Sequence, residues 1–183
     1  MLTGRINFRV QLAEIIIEVS TLCDDTKKLC HHYLSNGKPD FSISIKQDDI
    51  EFEQHRSVKT NDLHGLPVPK FSLGYLETLA VLRKIAERIP DYGVILIHGS
   101  ALAMDGNGVL FTAKSGVGKS THARLWREQF GERIVMVNDD KPFIKVCYDE
   151  AFLCGTPWDG KHRLGSNGLS TLGRTVFIRS RSA

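Results

Sequence analysis

The chain has 183 residues, which at ~150 residues per domain predicts one compact unit, or one with a small appendage. Apolar residues make up 42% and charged residues 25%, a balance that excludes a wholly disordered or fibrous chain. Lys and Arg total 24 against 21 Asp and Glu, a net charge of +3, too small an excess to point to nucleic acid although it suits anionic ligands.

No stretch approaches the ~20 apolar residues of a membrane span. The best apolar run, Leu12–Val19, is interrupted by Glu14 and Glu18, which disqualifies it as a signal-peptide core. The expected location is the cytoplasm, with no membrane or nucleic-acid partner and with self-association left open. Cys23, Cys30, Cys147 and Cys154 lack the two-residue gap that suits zinc or a redox pair, so neither a metal–cysteine site nor a disulfide is expected.

In chain order, Ile6–Val10 and Ile15–Val19 read as strands from their β-branched content. Asp24–Leu34 reads as a short helix closed by the Asn36-Gly37 turn. Phe41–Ile45 alternates strictly between apolar and polar residues, the pattern of a half-buried strand. Asp48–Lys59 is charged and reads as a helix or an exposed connection, its acidic run Asp48, Asp49 and Glu51 as a solvated face. Asn61–Pro69 is turn chemistry and predicts the main boundary: a small mixed α/β portion over residues 1–69, then a second domain over 70–183.

An amphipathic helix follows, with Leu73, Leu76, Ala80, Ile85 and Ile89 at helical spacing and Pro90 as its stop. Val94–Ile97 predicts a buried strand. Ala101–Met104 and Val109–Thr112 flank Asp105-Gly-Asn-Gly108 and predict a hairpin.

The decisive segment is Ala113-Lys-Ser-Gly-Val-Gly-Lys-Ser-Thr121, a strand end, a glycine loop and a helix running to Phe130. Gly116 and Gly118 let successive backbone N–H groups turn inward around Ser115–Val117 and form an anion nest. The helix N-terminus adds uncompensated donors and partial positive charge. Lys119 then reaches the β- and γ-phosphates, the Ser120 hydroxyl ligates Mg²⁺, and Thr121 completes the phosphate-binding set Ser115–Thr121. Ala113 stands where such loops usually carry their first glycine; it is tolerated if its φ is negative.

Ile134–Val137 predicts another buried strand, read as parallel, that delivers Asp139 and Asp140 at its end. Two carboxylates there suit Mg²⁺ binding and proton acceptance from an attacking hydroxyl. Gly155–Arg163 is a loop in which Lys161 and Arg163 are candidate acceptor or phosphate contacts. His98, at a strand end, and His122, in the first turn of the loop's helix, are candidates for the same contacts.

His98-Gly99, Ser115–Ser120, the strand ending in Asp139-Asp140 and Thr156-Pro-Trp-Asp-Gly-Lys161 together resemble the HPr kinase/phosphorylase catalytic-domain family. Around the glycine loop the sequence is also similar, more distantly, to ATP-dependent phosphoenolpyruvate carboxykinase. The resemblance covers roughly residues 94–178. It implies an α/β fold with a P-loop core of that type, incomplete at its C-terminus because family members continue with further helices. It also implies ATP- and Mg²⁺-dependent phosphoryl transfer to a hydroxyl acceptor on a protein, peptide or small molecule, classically a protein serine. Lys119, Asp139 and Asp140 would be the catalytic residues, and Ser120, Asp139 and Asp140 the metal ligands, with the base not assigned to either aspartate. The competing reading is an ATP-binding module without catalysis.

Overall fold

The computed structural model describes residues 4–63, 70–160, 165 and 169–177. The fold is mixed α/β, and it divides into two compact units, Met1–Arg88 and Ile89–Ala183. Among the described residues no helix is long and apolar enough to cross a membrane.

The first unit has a three-stranded sheet in the order β1 (Ile6–Leu12), β2 (Ile15–Thr21), β3 (Phe41–Ser44). β1 and β2 form an antiparallel hairpin, and β3 lies parallel to β2. The helix expected over Asp24–Leu34 is shorter: α1 spans Asp25–Leu29, and a 3-10 turn follows at His31–Tyr33. The charged segment after β3 is helical, α2 (Gln47–Leu63). It is followed by α3 (Leu73–Arg88), whose buried face carries Leu76, Ala80, Val81 and Ile85. Ile17, Ile45, Ile50, Leu76 and Ile85 are all but fully buried, and at ~1.5–3 kcal/mol per side chain such residues dominate the unit's stability.

α3 packs on α1, α2 and β3. The compact units therefore divide at Arg88/Ile89 and not at residue 69/70, the boundary expected from turn chemistry. A run of turn residues marks a connection between elements. It does not say which core the next helix joins.

The second unit is built on a seven-stranded mixed sheet. Its strands are β4 (Val94–Leu96), β5 (Gly99–Met104), β6 (Asn107–Thr112), β7 (Ile134–Asn138), β8 (Phe143–Cys147), β9 (Glu150–Cys154) and β10 (Leu169–Phe177), in the order β4-β8-β9-β10-β6-β5-β7. Among the described residues only the β10–β6 pair of this sheet is parallel. The expected hairpin is present: Asp105 and Gly106 both take positive φ between β5 and β6, the conformation a two-residue turn needs to match strand twist.

β4 and β5 act as one bent strand against β8 and β7. β4 pairs antiparallel with β8 and β5 with β7. Hydrogen bonds from Ile97 N–H to Pro142 O and from Gly99 N–H to Asp140 O carry the ladder across the bend. Helix α4 (Lys119–Phe130) covers one face, burying Ala123 among Leu102, Phe111 and Met136. Ala101, Leu110, Val137, Ile144 and Leu153 form a separate cluster.

Candidate functional site

Strand directions decide where the site forms. β6 and β7 both run antiparallel to β5, with Gly99 opposite Thr112 and Ala101 opposite Asn138. The chain thus leaves β6 into the glycine loop, and leaves β7 into Asp139-Asp140, at the end where β5 begins. β7 is antiparallel to its neighbour β5, which corrects the expectation of a parallel strand. Because β5 lies between them, β6 and β7 still point the same way, and the two chemical segments emerge together.

The glycine loop lies between β6 and α4. Gly116 and Gly118 have φ of 81° and 101°, the left-handed region where a side chain is strained. Ala113 is not among the positive-φ residues, so alanine fits there without strain. Gly118 precedes the helix, and no side chain caps α4. Its first-turn N–H groups therefore lack intrahelical partners, together with the dipole's positive end.

Lys119 is 8% exposed. Its Nζ donates to Ala113 O at 3.1 Å and Lys114 O at 3.3 Å, folding over the loop. Ser120 and Thr121 are exposed. His122 is also exposed, but its ring stacks on Phe111 with centroids 5.9 Å apart, which directs it onto the α4–sheet packing.

The two aspartates are held differently. Asp139 Oδ1 accepts from Ser100 Oγ at 2.7 Å, and Ser100 is fully buried on β5. The Asp139 N–H donates to Asp159 Oδ1, whose other oxygen accepts from Gly165 N–H at 2.6 Å. A Cβ at Gly160 would sit 3.0 Å from Asp139 Oδ2, so any side chain there would press on that carboxylate.

Asp140 instead faces a lysine and a histidine. Its Oδ1 lies 3.1 Å from Lys141 Nζ and 3.3 Å from His98 Nε2. Burial holds His98 below the ordinary imidazole range, and Lys141 and Lys119 add to this against the opposing pull of Asp140. Lys119's influence on His98 ties the glycine loop to the aspartate side of the site.

Asn138 organises the turn. Fully buried, it accepts at Oδ1 from the N–H groups of Asp140 (2.9 Å) and Lys141 (2.7 Å). Its Nδ2 donates to Thr156 O at 3.0 Å and Thr156 Oγ1 at 3.1 Å. One amide thus shapes the turn that presents both aspartates and anchors the 155–160 loop, whose Trp158 is buried. Asn-Asp-Asp before Lys-Pro is a local turn signal, but nothing local links Ser100 or Asp159 to Asp139. Lys161 and Arg163 lie outside the described residues.

A cavity of about 510 Å³ joins the two segments, with Ser120 and Thr121 on one side and Asp139 on the other. That falls within the ~300–1,000 Å³ of small-molecule sites. Among the described residues no group of three or more His, Cys, Asp or Glu is placed to hold a metal. Mg²⁺ needs no such cage, since it is commonly held by one or two carboxylates plus substrate phosphates. No family model matches the sequence, and no curated protein matches it.

Proposed function

We propose that the second unit binds the phosphates of ATP in Ser115–Thr121 and transfers the γ-phosphoryl group to a hydroxyl acceptor, in the manner of an HPr kinase-like enzyme. One observation carries the reading: the strand directions bring Lys119, Ser120, Asp139 and Asp140 to one end of one sheet, where Ser120 and Asp139 line one cavity.

The inward N–H groups of the loop and the α4 N-terminus would cradle the β-phosphate. Lys119 would exchange its two carbonyl partners for β/γ oxygens, placing its charge where negative charge is carried through the transition state. Ser120 Oγ and Asp139 fit Mg²⁺, which when bound neutralises phosphate charge. Asp140 is the better candidate for the proton acceptor, because its carboxylate faces the exposed His98–Lys141 side. In the reaction the acceptor oxygen bonds to the γ-phosphorus, the bond to the β–γ bridging oxygen breaks, and ADP leaves. The hydroxyl proton passes to the carboxylate.

The test is calorimetric titration with ATP–Mg²⁺ beside a labelled-ATP transfer assay. Lys119→Ala should weaken ATP binding ~10-fold or more, the scale of one lost charge-assisted hydrogen bond. Unchanged affinity would place the nucleotide elsewhere. Binding that depends on Lys119, with no ATP turnover that depends on either aspartate, would leave the non-catalytic module.

A further inference from the structure

The phosphate reading uses only one end of the cavity beside α4. Further along, its wall is formed by Arg124 and Arg127, with Met136 of β7 opposite. Ser120, Arg124 and Arg127 fall at i, i+4 and i+7, so they share one helix face.

The two arginines are loosely engaged. Arg124 pairs with Glu128 at 2.6 Å, both more than half exposed, an i,i+4 surface contact that contributes little to stability. Arg127 is half-buried, and its guanidinium makes no ion pair or hydrogen bond among the described residues. A guanidinium whose donors are unmatched among the described residues adds little to stability. It is well suited to grip a carboxylate through two parallel bonds.

Spacing narrows the ligand. Arg124 and Arg127 lie ~6 and ~10 Å along the helix axis from Ser120 at ~1.5 Å per residue. An extended peptide covers that distance in two or three residues at ~3.3 Å each.

We propose that the acceptor is a peptide segment with an acidic side chain two or three residues from the hydroxyl-bearing residue, and that Arg127, assisted by Arg124, holds that carboxylate. The inference rests on the phosphoryl-transfer reading above and adds the chemistry of the acceptor.

The probes are capped heptapeptides with a single serine and one glutamate placed one to four residues away, each with a glutamine twin. Binding is followed by fluorescence anisotropy in the presence of ADP and Mg²⁺, and transfer by labelled ATP. Glutamate at two or three residues should bind ~10-fold more tightly than its twin, the scale of one charge-assisted contact. Arg127→Gln should abolish that preference and Arg127→Lys restore part of it, with ATP affinity and thermal midpoint unchanged.

Equal binding of the twins overturns the proposal. So does a preference that survives in Arg127→Gln, or one strongest with glutamate adjacent to the serine. If Arg127→Gln weakens ATP binding instead, the arginine serves the nucleotide and the proposal fails. An acidic preference without label transfer, in a protein whose ATP binding ignores Lys119, would sink the kinase reading and with it the acceptor role.

Discussion

Several charged side chains of the first unit are matched to opposite charges or backbone donors, whereas Lys119 and Arg127 of the second unit have no carboxylate partner among the described residues. In the first, Arg83 donates to Glu53 at 2.7 Å, Glu87 at 3.0 Å and Asp49 at 3.2 Å. Asp49 also meets Lys84 at 2.8 Å. Burial pushes the Asp49 carboxyl up, but hydrogen bonds from Lys84, the Lys46 N–H and Arg83 together hold it below the ordinary carboxylate range. Glu77 is fully buried and takes the N–H groups of Leu22 and Cys23 at 2.6 and 2.8 Å.

In the second unit, Lys119 rests on two carbonyls, Asp140 is 40% exposed between the Lys141 ammonium and the His98 imidazole, and Arg127 is unpaired among the described residues. The same residue types thus serve opposite ends. Mutually satisfied charges fix a fold. Charges that converge with donor capacity left over can receive a ligand.

That contrast can be broken first at Glu77. Glu77→Ala orphans two backbone N–H groups, and at ~1–3 kcal/mol each the expected loss is about 3 kcal/mol of stability in chemical denaturation, with ATP affinity unchanged. Next come the aspartates: Asp139→Asn or Asp140→Asn should lower transfer ~100-fold or more, the scale of lost general-base help. For Asp140→Asn the denaturation midpoint should stay put. A large drop there would show its cation contacts to be structural, erasing the contrast.

A smaller effect lies at the β1–β2 turn, where Ala13 and Glu14 take φ of 50° and 66°. Left-handed backbone costs an L residue ~1–2 kcal/mol. Ala13→Asn with Glu14→Gly should therefore raise the first unit's stability by ~1 kcal/mol, read from the same denaturation curves.

The smallest effect belongs to His98. Its folded pKa is depressed by burial, then by Lys141 and Lys119, so above the unfolded value of ~6.5 both states are neutral. As pH falls below that, the unfolded chain takes up the proton first, and the stability difference is lost toward the folded pKa. Denaturation of the nucleotide-free protein at pH 7.5 and 5.5 should show this loss, and His98→Gln should reduce it. The imidazole's 46% exposure keeps the effect small.

Much of this was legible from local pattern. The alternation of Phe41–Ile45, the α3 stripe, the Asp105-Gly106 turn and the glycine loop each declare themselves within a dozen residues. β8 and β9 did not, because their two-residue turn is Tyr148-Asp149, with Tyr148 at φ 54° and no glycine or asparagine to announce it. The acidic run reads locally as a solvated face, but the cations of Asp49 come from α3, over thirty positions away. Ser100 and Asp159 reach Asp139 from 39 and 20 positions away, separations that no window of local sequence contains.

The resting place of Lys119 has a consequence for selectivity. With its ammonium already solvated by Ala113 O and Lys114 O, the loop holds an internal competitor for its own cation. Under the proposed phosphate binding, an anion would have to displace both carbonyls before it gained the charge, so its affinity would be the difference between two filled shells. A lone inorganic phosphate has few contacts with which to drive that exchange. A polyphosphate, gripped at the same time by the nest and the helix end, has several. If the loop binds phosphates as proposed, it would discriminate by ligand length as well as by charge, since the lysine must first leave both carbonyls.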